Sequence, residues 1–293
     1  MPRRAALLSA LLAACNVPGG VTNPSAAWEQ RTIAAGEGDS IHLAYRALDR
    51  SRVIVFVPGF ADTWESYVGL ANAMPDSFGM VLLDPLGHGR STKRVGTINA
   101  PRQANAISAA LDSLRVRPFG LIGHSYGGII VQHYGNAHSD LPAAIIMAAG
   151  TTLRGHPAAA EFSALAAGMP DIVPDSVLAT QEASFFGDVP DSVIRPYIDA
   201  SRATPGHAWR EAIPYLLEND TRDFLGAWKP RTLLVMAEND RAVGNAAMDG
   251  IVAAMPSADA ARIPRTSHAM HWERPDTVAR VISAFLDRVA ASR

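Results

Sequence analysis

Gly123-His124-Ser125-Tyr126-Gly127 follows directly on the apolar run Phe119-Gly120-Leu121-Ile122. A G-x-S-x-G segment in that position forces a strand to turn at once into a helix. Side chains on the flanks of such a turn clash, and glycine at 123 and 127 removes them. The turn also lifts the Ser125 hydroxyl above the edge of the sheet, where a base can reach it. The segment therefore predicts a strand before Ser125 and a helix after it, reaching about His138.

The surrounding chain repeats the same alternation. Arg52-Val53-Ile54-Val55-Phe56-Val57 is a β-branched run stopped by Pro58-Gly59, and Met80-Val81-Leu82-Leu83-Asp84 is ended by Pro85 and Gly87. Both read as buried strands. Ile41 to Ala47 alternates loosely, and Ala143 to Met147, Thr232 to Met236 and Ala260 to Ile263 are further strand candidates. Asn99 to Leu114 has helical spacing, with Ile107, Ala110, Leu111 and Leu114 on one face, and a last helix runs from about Pro275 to Ala290. Strands alternating with helices imply an α/β fold with a mostly parallel central sheet flanked by helices. Residues 151–228 break the rhythm. They are helix-like but cut by prolines at 157, 170, 174, 190, 196, 205 and 214. An insertion after a strand is read as a helical cap over the C-terminal edge of the sheet, where ligands sit in open sheets. The core then comprises residues 29–150 and 229–293.

With 293 residues, 48% of them hydrophobic, the chain can bury one large core with an inserted cap. A formal charge of −2 and the lack of a basic stripe give no footing for nucleic-acid binding. Neither a Gly-rich phosphate loop ending in Gly-Lys nor an H-E-x-x-H segment occurs, which argues against nucleotide and zinc chemistry.

The N-terminus reads as a targeting segment. Met1-Pro2-Arg3-Arg4 is followed by the apolar stretch Ala5 to Ala14 and by Cys15, the single cysteine. A basic start, a short apolar stretch and small residues before a break describe a secretory signal, here residues 1–14. The stretch is too short to span a membrane. Leu12-Ala13-Ala14-Cys15 resembles a bacterial lipobox, which implies cleavage before Cys15 and a lipid on its sulfur. The expected product is an exported lipoprotein, anchored to a membrane and facing the periplasm or the cell surface. Residues 15–28, with Pro18, Gly19, Gly20 and Pro24, read as its tether.

A serine hydroxyl is a poor nucleophile at neutral pH. It needs an imidazole to take its proton and a carboxylate to orient that imidazole. Ala237-Glu238-Asn239-Asp240-Arg241 supplies two acids just past a strand, and Thr266-Ser267-His268-Ala269-Met270-His271 supplies two imidazoles. Asp240 is preferred over Glu238, because Glu238 still lies along the strand.

Taken together, these segments resemble the α/β-hydrolase family over nearly the whole mature chain. The order Ser125, Asp240, His268 is the family's order of nucleophile, acid and base. His268 stands seven residues before Pro275, as in the family's histidine loop, and this selects it over His271. Asp84-Pro85-Leu86-Gly87-His88-Gly89-Arg90-Ser91 is similar to the family's Asp-x-x-Gly-x-Gly-x-Ser loop. One segment departs: where the family carries His-Gly, this chain has Pro58-Gly59-Phe60. By the resemblance, the backbone N–H groups of Phe60 and Tyr126 form the oxyanion hole, and Pro58 sits two positions before the first donor. Asp84, His88, His124 and His271 are read as structural. Trp64, Phe185, Phe186 and Trp209 are read as core rather than as site residues.

The resemblance implies a serine hydrolase acting on an apolar, ester-like small molecule through an acyl-enzyme on Ser125, without metal or organic cofactor. A serine at 125 argues against the family's epoxide hydrolases and haloalkane dehalogenases, whose nucleophile is an aspartate. C–C bond hydrolysis, acyl transfer to another alcohol, and slow-turnover ligand binding use the same residues and stay open at this level.

Overall fold

The computed structural model describes residues 28–293. The expected signal segment, Cys15 and residues 16–27 lie outside the described residues. In chain order the elements are β1 (Glu29–Ala34), β2 (Ser40–Arg46), β3 (Val53–Val57), a 3-10 turn (Trp64–Tyr67), α1 (Val68–Ala73), β4 (Gly79–Leu83), α2 (Ala100–Ser113), β5 (Gly120–His124), α3 (Tyr126–Ala137) and β6 (Ala143–Met147). Then come α4 (Ala159–Ala167), α5 (Asp175–Phe185), α6 (Asp191–Ala203), α7 (Gly206–Glu218), α8 (Arg222–Leu225), β7 (Arg231–Ala237), α9 (Asn245–Ala254), β8 (Asp259–Ile263), α10 (Met270–Glu273) and α11 (Pro275–Ala291).

The strands form one eight-stranded sheet in the order β1-β2-β4-β3-β5-β6-β7-β8. The pairings β1–β2 and β2–β4 are antiparallel, and the rest are parallel. The inner strands β3, β4 and β6 are apolar throughout because both faces are covered. Val53, Val55 and Val57 join one core with Ile107 of α2, Ile130 of α3 and Ile251 of α9. Their neighbours Ile54 and Phe56 join the opposite core with Leu70 of α1 and with Ile282 and Phe285 of α11. The two-residue period of the strand thus sorts one continuous apolar run onto two layers.

β1 is the strand that hydrophobic pattern does not foreshadow. Its sequence is EQRTIA, and five of the six residues are exposed. It exists by antiparallel pairing with β2, from Glu29 opposite Tyr45 to Ala34 opposite Ser40. Trp28, just before it, is already anchored, with the Arg46 guanidinium 4.5 Å above its ring.

Strand order reverses at β3, which has β4 on one side and β5 on the other. The crevice beyond the C-terminal ends of strands at such a switch point is where open α/β sheets bind ligands. Val57 is paired with Gly123 in the β3–β5 ladder. The loop after β3 and the turn after β5 therefore leave the sheet side by side.

Helices α4 to α8 fill the interval between β6 and β7. Pro174, Pro190 and Pro205 stand at the N-caps of α5, α6 and α7, whereas Pro196 and Pro214 lie inside α6 and α7. These helices pack onto loops of the sheet through two small apolar clusters. One joins Met169, Val177 and Trp209 to Ala61, and the other joins Phe186, Ile194 and Tyr197 to Ala269. Among the described residues no helix is long and apolar enough to cross a membrane.

Candidate active site

Ser125 sits at the junction of β5 and α3 with φ 52 and ψ −120, a conformation that L-residues adopt only when the surroundings impose it. Those surroundings are glycine-lined. A Cβ on Gly123 would lie 2.2 Å from the Gly127 carbonyl oxygen, and one on Gly127 would lie 2.1 Å from that of Val57. Neither glycine has positive φ. Their role is to let backbones touch, so that β5, α3 and the end of β3 converge beneath the serine. Met147 O accepts from the Ser125 N–H at 2.9 Å, tying the turn to β6 as well.

His268 and Asp240 meet from different loops. His268 follows β8 and Asp240 follows β7, and these strands are neighbours in the sheet. His268 Nδ1 lies 2.9 Å from Asp240 Oδ2, and both side chains are buried. Asp240 Oδ1 accepts from the Ala242 and Val243 N–H groups, each at 2.9 Å. Burial alone would raise the Asp240 pKa. The neighbouring His268 and the N–H donors outweigh it and bring the carboxyl down to about 2. A charged carboxylate at Nδ1 selects the tautomer in which Nδ1 carries the proton and Nε2 is the basic nitrogen. His268 Nε2 is buried without a hydrogen-bond partner among the described residues. Ser125 and His268 line the same cavity of about 450 Å³.

The other imidazoles of the neighbourhood have different surroundings. His124 Nε2 donates to the His268 carbonyl oxygen at 2.8 Å. His271 is stacked on Tyr67, with ring centroids 4.9 Å apart. Burial first, then the positive charge of neighbouring imidazoles, holds His124 well below the usual histidine range and His271 at about 3. Both rings are neutral at neutral pH, which leaves His268 as the member of this trio paired with a carboxylate.

Glu238, the alternative acid, is exposed and accepts from the Arg265 N–H at 2.7 Å. The Asp84 loop is a structural brace. Asp84 Oδ1 accepts from the Trp64 N–H at 2.9 Å and Oδ2 from the Arg90 N–H at 2.8 Å. His88 Nδ1 lies 3.0 Å from the Leu86 carbonyl oxygen, and its ring meets Phe60 edge-on at 5.3 Å. Asp84 thus staples its own loop to the segment that follows Phe60.

Two backbone donors border Ser125. Tyr126 is the first residue of α3, so its N–H belongs to the first helical turn, which has no intrahelical acceptor. The Phe60 N–H has no partner among the described residues. A Cβ on Gly59 would lie 3.2 Å from His124 Nδ1 and 3.3 Å from Ser125 Cβ. Pro58-Gly59-Phe60 therefore packs directly on the turn, and the departure from His-Gly does not move this loop away.

The cavity also exposes what the sequence alone did not single out. Phe185 and Trp209, read as core, line it together with Phe60, Leu153, Phe162 and Ile213. Phe185 lies 4.6 Å from the His268 ring. Asp62, Gln181 and Tyr197 line it too. Their signal in the sequence is weak, because an aromatic residue on a helix looks the same whether it faces a core or a cavity. Trp64 and Phe186 are buried away from it. Among the described residues no group of three His, Cys, Asp or Glu side chains is placed to hold a metal ion.

Comparison with known proteins agrees with this architecture. The pattern of the alpha/beta hydrolase family matches residues 54–281. The chain belongs to that family. It is 25% identical to the Escherichia coli esterase YbfF over 80% of this chain and 92% of that protein. Over the first two curated relatives it matches, the chain spans only 41% and 44% of their length. Among solved structures it is similar to a thermophilic esterase from Thermogutta terrifontis, with TM-score 0.78 and 19% identity over 89% of this chain and 99% of that one. The enol-lactonase from Burkholderia xenovorans LB400 is as similar, with TM-score 0.78 and 17% identity over 88% and 100%. At such identities these two likenesses speak for the fold alone.

Proposed function

We propose that the protein is a serine hydrolase of carboxylic esters, with Ser125 as nucleophile, His268 as general base and acid, and Asp240 as the orienting carboxylate. The observation that carries this reading is the 2.9 Å contact of His268 Nδ1 with Asp240 Oδ2 beside an unpartnered Nε2, in the cavity that Ser125 also lines. Nε2 takes the Ser125 proton as the oxygen attacks the acyl carbon. The Phe60 and Tyr126 N–H groups receive the negative charge that develops on the carbonyl oxygen. Nε2 then protonates the departing alcohol, and the acyl group remains on Ser125. A water deprotonated by His268 attacks that ester and releases the acid, regenerating the hydroxyl. Asp240 stays ionised and stabilises the imidazolium formed in each half.

In this reading residues 151–228 are the cap. They supply most of the apolar wall and exclude bulk water from the developing charge. The N-terminus is read as the lipoprotein signal described above, with Cys15 carrying the anchor and the substrate met outside the cytosol. Mass spectrometry of the mature N-terminus tests this: an unmodified Cys15, or cleavage elsewhere, overturns it.

Hydrolysis of p-nitrophenyl esters of graded chain length, by the wild-type protein and by Ser125→Ala, tests the mechanism. Turnover that disappears in the variant is expected, and the chain-length preference then sizes the acyl pocket. Equal turnover by both proteins overturns the role of Ser125.

A further inference from the structure

The lining of the cavity is mostly apolar, and buried polar groups away from Ser125 and His268 gather around Asp62. Asp62 sits two residues beyond Phe60 and is 2% exposed. Asp62 Oδ1 accepts from the Thr63 N–H at 2.8 Å. No ion pair among the described residues involves Asp62. Two residues from the inserted helices share this region of the cavity. Ser201 of α6 donates to the Ala61 carbonyl oxygen at 3.0 Å, which sets Tyr197, one turn earlier, over the Asp62 segment. Tyr197 OH accepts from Gln181 Nε2 at 3.2 Å, and Gln181 Oε1 is buried without a partner. Asp62, Gln181 and Tyr197 all line the cavity that holds Ser125 and His268.

A buried carboxyl with no cation beside it and an unpaired amide oxygen in a largely apolar cavity are costly unless a ligand satisfies them. Both are acceptors. We propose that Asp62, with Gln181 and Tyr197 beside it, is a recognition point for a hydrogen-bond donor on the substrate. The preferred ester then carries a hydroxyl or ammonium substituent on an otherwise apolar body. This rests on the ester-hydrolase reading and narrows its substrate class. Burial lifts Asp62 to about 7 against the pull of the Thr63 N–H and the Ser66 hydroxyl, and Asp84 and Glu65 add to the lift. The charged cavity residues Glu161 and Arg241 are exposed and already in water, so they have no comparable need of a ligand partner.

The test uses matched esters. On the acyl side these are p-nitrophenyl butyrate, 3-hydroxybutyrate and 3-aminobutyrate. On the alcohol side they are ethyl, 2-hydroxyethyl and 2-aminoethyl butyrate. In at least one series kcat/KM is expected to favour a donor-bearing member by about 10- to 100-fold, and Asp62→Leu to erase the preference. Gln181→Leu is expected to reduce it, and serves if Asp62→Leu does not fold. Asp62→Asn separates the two donors, because it keeps an acceptor for a hydroxyl and loses the charge that holds an ammonium. Esters hydrolysed with no donor preference, or a preference that persists in the leucine variants, overturn the proposal and leave the hydrolase reading intact. If no ester is turned over, calorimetric titration of the same compounds into Ser125→Ala decides it. Donor-selective binding sustains the proposal, and equal or absent binding overturns it.

Discussion

His124, the residue before the serine, donates through Nε2 to the carbonyl oxygen of His268 at 2.8 Å. The side chain of one strand-end residue thus carries the backbone of the loop that places the imidazole in the cavity Ser125 lines. The bond fixes His124 as the Nε2–H tautomer, since a carbonyl only accepts. Replacing it with phenylalanine keeps the ring and removes the donor. His124→Phe is expected to lower kcat on the order of 10- to 100-fold with a smaller change in KM, because misplacing a base by an ångström costs that much. Steady-state kinetics on both proteins check it. An unchanged kcat would show that the loop holds itself.

The strained turn gives a stability prediction. Ser125 at φ 52 costs about 1–3 kcal/mol relative to a residue free to adopt that conformation. Ser125→Gly relieves the strain, partly offset by the greater flexibility of glycine in the unfolded chain. The variant is expected to be inactive and about 1 kcal/mol more stable than wild type, while Ser125→Ala is inactive with little change. Urea midpoints of the three proteins measure this.

Asp240 links the site to acid stability. Its folded pKa of about 2 lies below the ordinary carboxylate value, so the folded state releases the proton more readily than the unfolded one. The resulting stabilisation is fully present above about pH 4 and is lost as pH falls through about 2. It amounts to about 2 kcal/mol. Asp240→Asn is expected to be less stable than wild type at pH 6, with the gap closing toward pH 2. Its kcat is expected to fall about 10⁴-fold, as when the orienting carboxylate of a serine triad is neutralised.

Asp62 has the opposite sign. Its folded pKa of about 7 is raised, so the folded state keeps a proton that the unfolded chain gives up. Stability falls as pH rises from about 4 to about 7, and the penalty is fully felt above that. Asp62→Asn removes the titration. It is expected to raise the melting temperature at pH 8 and to leave it nearly unchanged at pH 4. Melting curves at the two pH values decide it, and an equal change at both contradicts the assignment.

Glu273 binds the inserted helices to the histidine loop. One oxygen accepts from the Gly187 N–H and the other from the Ser267 N–H, each at 2.8 Å. The Ala269 N–H adds a bond to the Phe185 carbonyl oxygen at 2.9 Å. Glu273→Ala is expected to cut kcat by about tenfold through the freed loop. Limited proteolysis near Gly187 is expected to accelerate.

Much of the fold was legible because buried strands and amphipathic helices write their periods into the chain. Ala143–Met147 is the strand the sequence predicts, and α2 begins one residue after Asn99, whose side chain caps the Arg102 N–H. β1 was not legible. Its residues are exposed, and their extended form depends on a partner strand rather than on a hydrophobic face. Pro196 and Pro214 were read as breaks and lie within helices, where packing on the sheet loops overrides the lost hydrogen bond.

By itself the sequence determined which residues are the candidates for the chemistry. A serine between close-packed glycines, an acid past one strand and an imidazole past the next are local patterns, each set by backbone sterics or by strand-end position. Only the tertiary structure decided how they meet. The pairing of Nδ1 with Asp240, the His124 support beneath His268 and the meeting of Asp62 with Gln181 and Tyr197 in the cavity join segments far apart in the chain. No local period encodes such contacts, because they arise where the sheet aligns its strand ends and the inserted helices close over them.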